Sequence, residues 1–314
     1  MVARMRRIAA GLVFLVVAAA ACSGTPEPVG PERPASRQVF ALDDLRISAQ
    51  ARSVALAFLQ AYADSPEDGG RSLRPLVDGV LAREWAHWVA IQNAGFPGSI
   101  EGTLALGRLG PAGPVRAQDG SLDDLVAYGV PVRATITFEL TDDSGTPSPP
   151  LQRLMDGLVV LVQGPDGGFR VINFQRDGQR LDQFFQVFDG AFERRQGVRV
   201  EIENLIQLER WQFGIRITNH TSRPLRVLPN LTALLTSDED VVNPERPVVT
   251  FENPIPPGKT AEGVVSFAAP ATQDALDLQI AVAGPDGEAT GFIFGVPQPQ
   301  GATTSPSPSP SAGA

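Results

Sequence analysis

The chain has 314 residues, a formal charge of −9 at pH 7, a pI near 4.8 and a single cysteine, Cys22. A lone cysteine excludes an internal disulfide framework, so the fold must hold by packing alone. The acidic balance repels nucleic acid and anionic lipid, so bulk electrostatics recruits neither as a partner.

At the start, Arg4, Arg6 and Arg7 precede an apolar run that ends in Ala19-Ala20-Ala21-Cys22 and turns at once to Ser-Gly-Thr-Pro. That order of positive, apolar and small residues is the layout of a secretory signal peptide. The run is shorter than the roughly 20 residues that span a ~30 Å hydrocarbon core, so a retained membrane helix is the weaker expectation. The tetrapeptide resembles the lipobox of bacterial lipoproteins, although Ala19 stands where that family more often carries Leu. The resemblance implies a signal peptide over 1–21, a diacylglyceryl group on the Cys22 thiol, and Cys22 as first residue of the mature chain. It implies anchoring to the outer face of the cell membrane, since a multi-chain lipid gains about 0.8 kcal/mol per buried methylene. Cleavage removes three arginines and no acid, which takes the formal charge from −9 to −12. Lysine occurs once, at Lys259, against abundant Arg, Ala, Gly and Pro, as in proteins of GC-rich bacteria.

Residues 22–40 are rich in Pro, Gly and Ser and are expected to form a disordered tether. From Leu42 to Ser65 a helical spacing carries Val54, Leu56, Phe58, Leu59 and Tyr62. A second helix follows from Leu73, Leu76, Val77, Val80, Leu81, Trp85, Trp88 and Val89, stopped by Gly95 and Pro97. `SIEGTLALGRL` and `GPVRAQ` suggest a hairpin, `AYGVPVRATITFEL` a half-buried strand, and `TDDSGTPSPP` a loop. `GLVVLVQ`, `GPDGG` and `FRVINFQ` predict a β-hairpin with its turn at the glycines. The second half offers seven close-spaced strand candidates and no helix: `VRVEIENL`, `RWQFGIRITN`, `PLRVLPNLTALLT`, `PVVTF`, `EGVVSF`, `ALDLQIAV` and `EATGFIF`. The last segment, 297–314, is a Pro/Ser tail expected to be disordered. The boundary between the halves falls near Asp189 to Gln196.

Two helices followed by hairpins of long strands resemble the nuclear transport factor 2-like fold over Leu42 to Gln186, carried by `VALAFLQAYAD`, the Trp85/Trp88 helix and `GGFRVINFQRDGQ`. The resemblance implies a cone-like α+β domain over 41–190, with helices packed in a bent antiparallel sheet. That family includes isomerases, dehydratases and catalytically silent binding domains, and none of its catalytic motifs is matched here. `RWQFGIRITNHTSRPLRV` and `NPIPPGKTAEGVVSF` resemble immunoglobulin-like domains of lipoproteins from GC-rich Gram-positive bacteria. They imply an all-β sandwich over 191–296, used for adhesion or docking.

Candidate chemistry is sparse. His87, between Trp85 and Trp88, is either a general acid or base or a half-buried helix histidine, and the second is favoured. His220 is expected to be a turn residue. Asp123 and Asp124, Asp142 and Asp143, and the acidic run Ser237 to Asp240 can offer oxygens to Ca²⁺, but turn and loop clusters are the expected role. Asn219-His220-Thr221 and Asn230-Leu231-Thr232 match a glycosylation pattern that chance accounts for. No zinc spacing, phosphate loop or nucleophile elbow is present, so no metal, cofactor or catalytic residue is expected. Trp85, Trp88, Phe138, Phe169, Phe174, Phe184 and Phe185 form either a dry core or the walls of an apolar pocket, with the core favoured.

Together these features lead to a lipid-anchored, non-catalytic envelope module that binds or scaffolds an envelope protein or wall component. Two alternatives stand beside it: a carrier or sensor of a small apolar ligand, and an acid/base enzyme. A cavity of about 300 Å³ or more separates the first from the others.

Overall fold

A computed structural model describes residues 42–96, 98–116, 126–208, 210–236, 241–249, 253–270, 276–284 and 286–296. Residues 1–40, where a signal peptide, Cys22 and a tether are expected, Asp123, Asp124, Ser237 to Asp240, and residues 297–314 lie outside the described residues.

Helix α1 spans Leu42–Asp68, and Ala51, Ala55, Phe58, Leu59, Tyr62 and Ala63 are buried along it at helical spacing. It ends where Gly69 and Gly70 take positive φ and the Gly70 N–H closes on the Ser65 carbonyl at 2.9 Å. Such glycine caps satisfy carbonyls the helix leaves open. Helix α2 spans Gly79–Gly95, and the Asp78 carboxylate accepts from the Gly79 N–H at 2.7 Å as its N-cap. It starts later than the Leu73 stripe implies. Arg74–Leu76 instead form a 3₁₀ turn on Pro75, and extended Val77 bridges Val171. Val80, placed on the stripe by spacing, is exposed.

Strands β1 (Ser99–Leu109), β2 (Gly113–Arg116) and β3 (Val126–Thr141) correct the next expectation. β1 and β2 do not form a hairpin; both pair antiparallel with β3, with Leu109 opposite Val132 and Gly113 opposite Gly129. They are successive segments of one edge. The Gly110 N–H is held by the Pro131 carbonyl at 2.7 Å, so Gly110-Pro111-Ala112 bulges without reversing the chain. β4 (Pro147–Gln163) then returns along β3, and the loop expected over `TDDSGTPSPP` shrinks to its first residues, because Ser148 already pairs with Leu140. Pro149 and Pro150 are tolerated there because that stretch of β4 is an edge. The β4–β5 hairpin (β5, Phe169–Arg176) has its turn where expected. Gly167 sits at φ +77°, and the Asp166 carboxylate accepts from the Gly168 N–H at 3.0 Å. β6 (Gln179–Arg180), the single-turn α3 (Leu181–Phe184) and β7 (Phe185–Val187) follow.

The second half contains β8 (Phe192–Arg195), β9 (Val198–Gln207), β10 (Arg210–Asn219), β11 (Arg226–Val227), β12 (Ala233–Leu235), β13 (Val241–Val242), β14 (Pro244–Val249), β15 (Thr260–Ala268), β16 (Leu276–Ala283) and β17 (Ala289–Val296). `PLRVLPNLTALLT` is split into β11 and β12 because Pro229 opens a 3₁₀ turn within it.

Three antiparallel sheets result. The first has the order β1-β3-β4-β5-β6 with β2 beside β3; the second, β14-β15-β10-β9-β7 with β8 beside β9; the third, β11-β16-β12-β13 with β17 beside β16. One face of the first sheet, carrying Val130, Ala134, Ile136 and Phe138, packs on α1 and α2. The second and third sheets enclose a separate core that includes Val200, Phe213, Phe267, Leu278 and Phe292.

The expected cone-like α+β class is therefore overturned. Among the described residues the chain is mostly β, with only three α-helices, and no helical cone is formed. The helical periods are real but stop at Gly95, and strands take almost all of the structure that follows. The halves also interlock: β7 leaves the first half to pair with β9, and Ile206 and Val264 of the second sheet pack into the core under α1 and α2. The outer face of the second sheet is covered there, not wet as simple alternation suggests.

Candidate functional site

A cavity of about 560 Å³ opens where α1 and α2, the β3–β4 hairpin and the outer face of the second sheet meet. Its helical wall includes Tyr62, Trp88 and Gln92; the hairpin contributes Phe138, Leu151 and Arg153; the second sheet contributes Arg210, Gln212 and Val264. The volume lies within the ~300–1,000 Å³ typical of small-molecule sites.

Arg176 lines the cavity from the end of β5. It shares a face with Phe174 through the two-residue period of the strand, and its side chain is only 3% exposed. Its guanidinium lies 4.9 Å from the Phe184 ring centroid, and Nη1 donates to the Tyr62 hydroxyl at 3.3 Å. Nε is 3.3 Å from Asp177 Oδ2, close enough for an ion pair but not aligned for a hydrogen bond. Arg153 shares that carboxylate at 4.0 Å. Nearby, Ser65 Oγ donates to the Tyr62 carbonyl at 2.8 Å, and Asn93 Nδ2 donates to Ser65 Oγ at 3.2 Å. The buried Trp88 indole N–H has no hydrogen-bond acceptor among the described residues. Among the described residues lining the cavity are three arginines and no carboxylate.

Beside the cavity a charged cluster joins α2 to the second sheet. Register sets Arg216 of β10 opposite Glu262 of β15, with Glu203 on neighbouring β9. Arg216 Nη2 reaches Glu203 Oε1 at 2.7 Å and Glu262 Oε1 at 2.8 Å, and His87 Nε2 lies 3.1 Å from Glu262 Oε2. Burial pushes the Glu203 carboxyl above its ordinary range despite the attraction of Arg216. Burial also opposes the charge on Arg216, but its bonds to Glu262 and Glu203 outweigh this and raise its pKa. His87, Glu203 and Glu262 bring one potential metal-ligand atom each within 4.8 Å of one another. The guanidinium already supplies the positive charge between the two carboxylates, so the set is a helix-to-sheet strut.

No protein-family model matches the chain, and no curated protein matches it.

The sequence candidates scatter. His87 belongs to the strut and does not line the cavity. His220 is exposed in a turn, where its N–H meets the Gly197 carbonyl at 2.8 Å. Asn219 is fully buried; its amide donates to the carbonyls of Arg223 and Ile255, and its Oδ1 accepts from Thr221. Asn230 is exposed in the 3₁₀ turn at Pro229. Asp142 organises the β3–β4 turn by accepting from Ser144 and Thr146, and those bonds, the Ser144 hydroxyl first, hold its carboxyl below the usual range. Asp143 is exposed in the same turn. Of the seven aromatics, Trp88 and Phe138 line the cavity, while Trp85, Phe169, Phe174, Phe184 and Phe185 are core. Sequence reasoning passed over Arg176, Arg210, Glu203, Arg216 and Glu262. Only Arg176 carried a local signal: a charged residue in phase with Phe174.

Proposed function

We propose that the chain is a lipid-anchored, exported binding module that holds a small ligand in the cavity beneath α2. Of the roles open from the sequence, the carrier or sensor gains most support, and the observation that carries it is the 560 Å³ cavity with the buried arginine at its wall. Export and anchoring rest on the Arg-rich start and on Ala19-Ala20-Ala21-Cys22. Binding is favoured over acid/base chemistry because the described lining holds no histidine or carboxylate, and its phenol, Tyr62, is engaged by the Arg176 guanidinium. Native mass spectrometry of the full chain, purified from membranes, tests this. A stoichiometric small-molecule adduct is expected, and Ser266→Trp, which fills the cavity from β15, removes it. An adduct-free parent that also fails to take up added amphiphiles contradicts the proposal. A Cys22→Ala chain that fractionates with membranes as the parent does contradicts the anchor.

A further inference from the structure

We infer that the ligand is an anionic amphiphile, with a carboxylate or phosphate head on Arg176 and an apolar tail along Trp88, Phe138 and Val264. The inference rests on the cavity being a ligand site and deepens that proposal.

Sign of charge comes first. In a chain of formal charge −9, random placement favours acidic walls, yet among the described residues lining this cavity Arg176 is a buried cation and no carboxylate appears. The state of Arg176 comes second. A guanidinium 97% removed from water needs its charge matched, because the desolvation cost of a buried ion is several kcal/mol. Its hydrogen-bond partner is the Tyr62 hydroxyl at 3.3 Å, its Nε is unaligned with Asp177, and that carboxylate is shared with Arg153. A planar fork so placed is complementary to a carboxylate or phosphate, which it binds through parallel charge-assisted hydrogen bonds. Neutral and cationic heads lack that complement.

The rest of the wall sets the tail. Trp88, Phe138, Ile100, Leu151 and Val264 give apolar surface on three sides, so a head group alone leaves most of the cavity unfilled. Burying a tail contributes roughly 25 cal/mol per Å² of apolar surface removed from water. The unpartnered Trp88 N–H adds a neutral donor for a head-group oxygen.

Calorimetric titration of the full chain with decanoate, decyl phosphate, decanol and inorganic phosphate tests the assignment. Decanoate and decyl phosphate are expected to bind saturably at one per chain, decanol at least tenfold more weakly, and inorganic phosphate not at all in the same range. The stronger of the two anions identifies the head group. Arg176→Met is expected to bring decanoate down to the level of decanol; should that variant not fold, the decanoate-to-decanol ratio of the parent decides alone. Equal affinity for decanoate and decanol overturns the anionic assignment and leaves the cavity reading standing. Inorganic phosphate binding as tightly as decyl phosphate overturns the tail. Failure of every decyl compound to bind overturns the cavity reading itself.

Discussion

In the sandwich, Phe213 and Phe267 meet edge to face at 5.8 Å within a core supplied by both sheets, and buried Asn219 has its amide donors and acceptor engaged. Under α2 the packing starts in the same manner, with Trp85 against Phe174 at 4.7 Å and Tyr62 at 5.0 Å, but it stops at a cavity bordered by a buried arginine. The first region spends its apolar residues on closure. The second leaves a hollow and polar groups with incomplete partners, a cost in stability that the proposed binding role accounts for.

Truncation separates the two regions most strongly. Phe213→Ala is expected to cost about 3–5 kcal/mol in denaturant unfolding, the range for a fully buried aromatic. Phe138→Ala, on the cavity wall, should cost clearly less, since one side of that ring already lacks packed neighbours. Equal losses would mean that the wall is as closed as the sandwich. Next comes Gly102→Ala, expected to cost about 1–3 kcal/mol as overpacking. A Cβ there would overlap the Ala63 carbonyl, so the glycine sets how closely β1 approaches α1.

Arg176→Met should shift stability by less than about 1 kcal/mol, because the thioether fills the stem's place and Asp177 keeps a third of its surface in water. Its loss should fall on ligand binding. A large destabilisation with binding intact would make Arg176 a structural residue.

The smallest expected effect is on pH dependence. Burial raises the Glu203 pKa, so the native state holds that proton more tightly than the unfolded chain. Its contribution is present below the ordinary carboxylate pKa and is lost as pH rises through the raised value. Glu203→Gln should therefore flatten the fall of Tm on that side. Asp166 is the opposite case: the Arg170 hydrogen bond, then the Gly168 N–H, lowers its pKa. Its contribution is present above the ordinary pKa and fades as pH falls through the lowered one, so Asp166→Asn should flatten the acid side instead. Profiles that tilt the same way for both variants would contradict these assignments.

What could be read from the chain follows from the range of each interaction. α1 and the β4–β5 hairpin were legible because one period and one turn fix them: Phe58, Leu59 and Tyr62 recur at helical spacing and are buried, although Leu56 faces solvent, and `GPDGG` supplies the glycine that takes φ +77°. The start of α2 was not, because the apolar stripe runs on through Val77, which is extended after the Pro75 turn and bridges Val171. Pairing partners were likewise hidden, since β1 and β2 have strand patterns that do not say they share β3. Misjudging how much of the chain is strand led to the cone. The cavity was least legible. Its arginines come from β4, β5 and β10, and only the meeting of the first sheet with the outer face of the second brings them together.

Tryptophan quenching by bromodecanoate compares the two regions directly. One variant keeps Trp88 alone (Trp85→Phe with Trp211→Phe), and the other keeps Trp211 alone (Trp85→Phe with Trp88→Phe). Trp88 lines the cavity and Trp211 lies in the sandwich core. Saturable quenching of Trp88, abolished by Arg176→Met, with Trp211 unaffected, is the predicted result. Equal quenching of both tryptophans, or none at Trp88, would contradict a ligand site beneath α2.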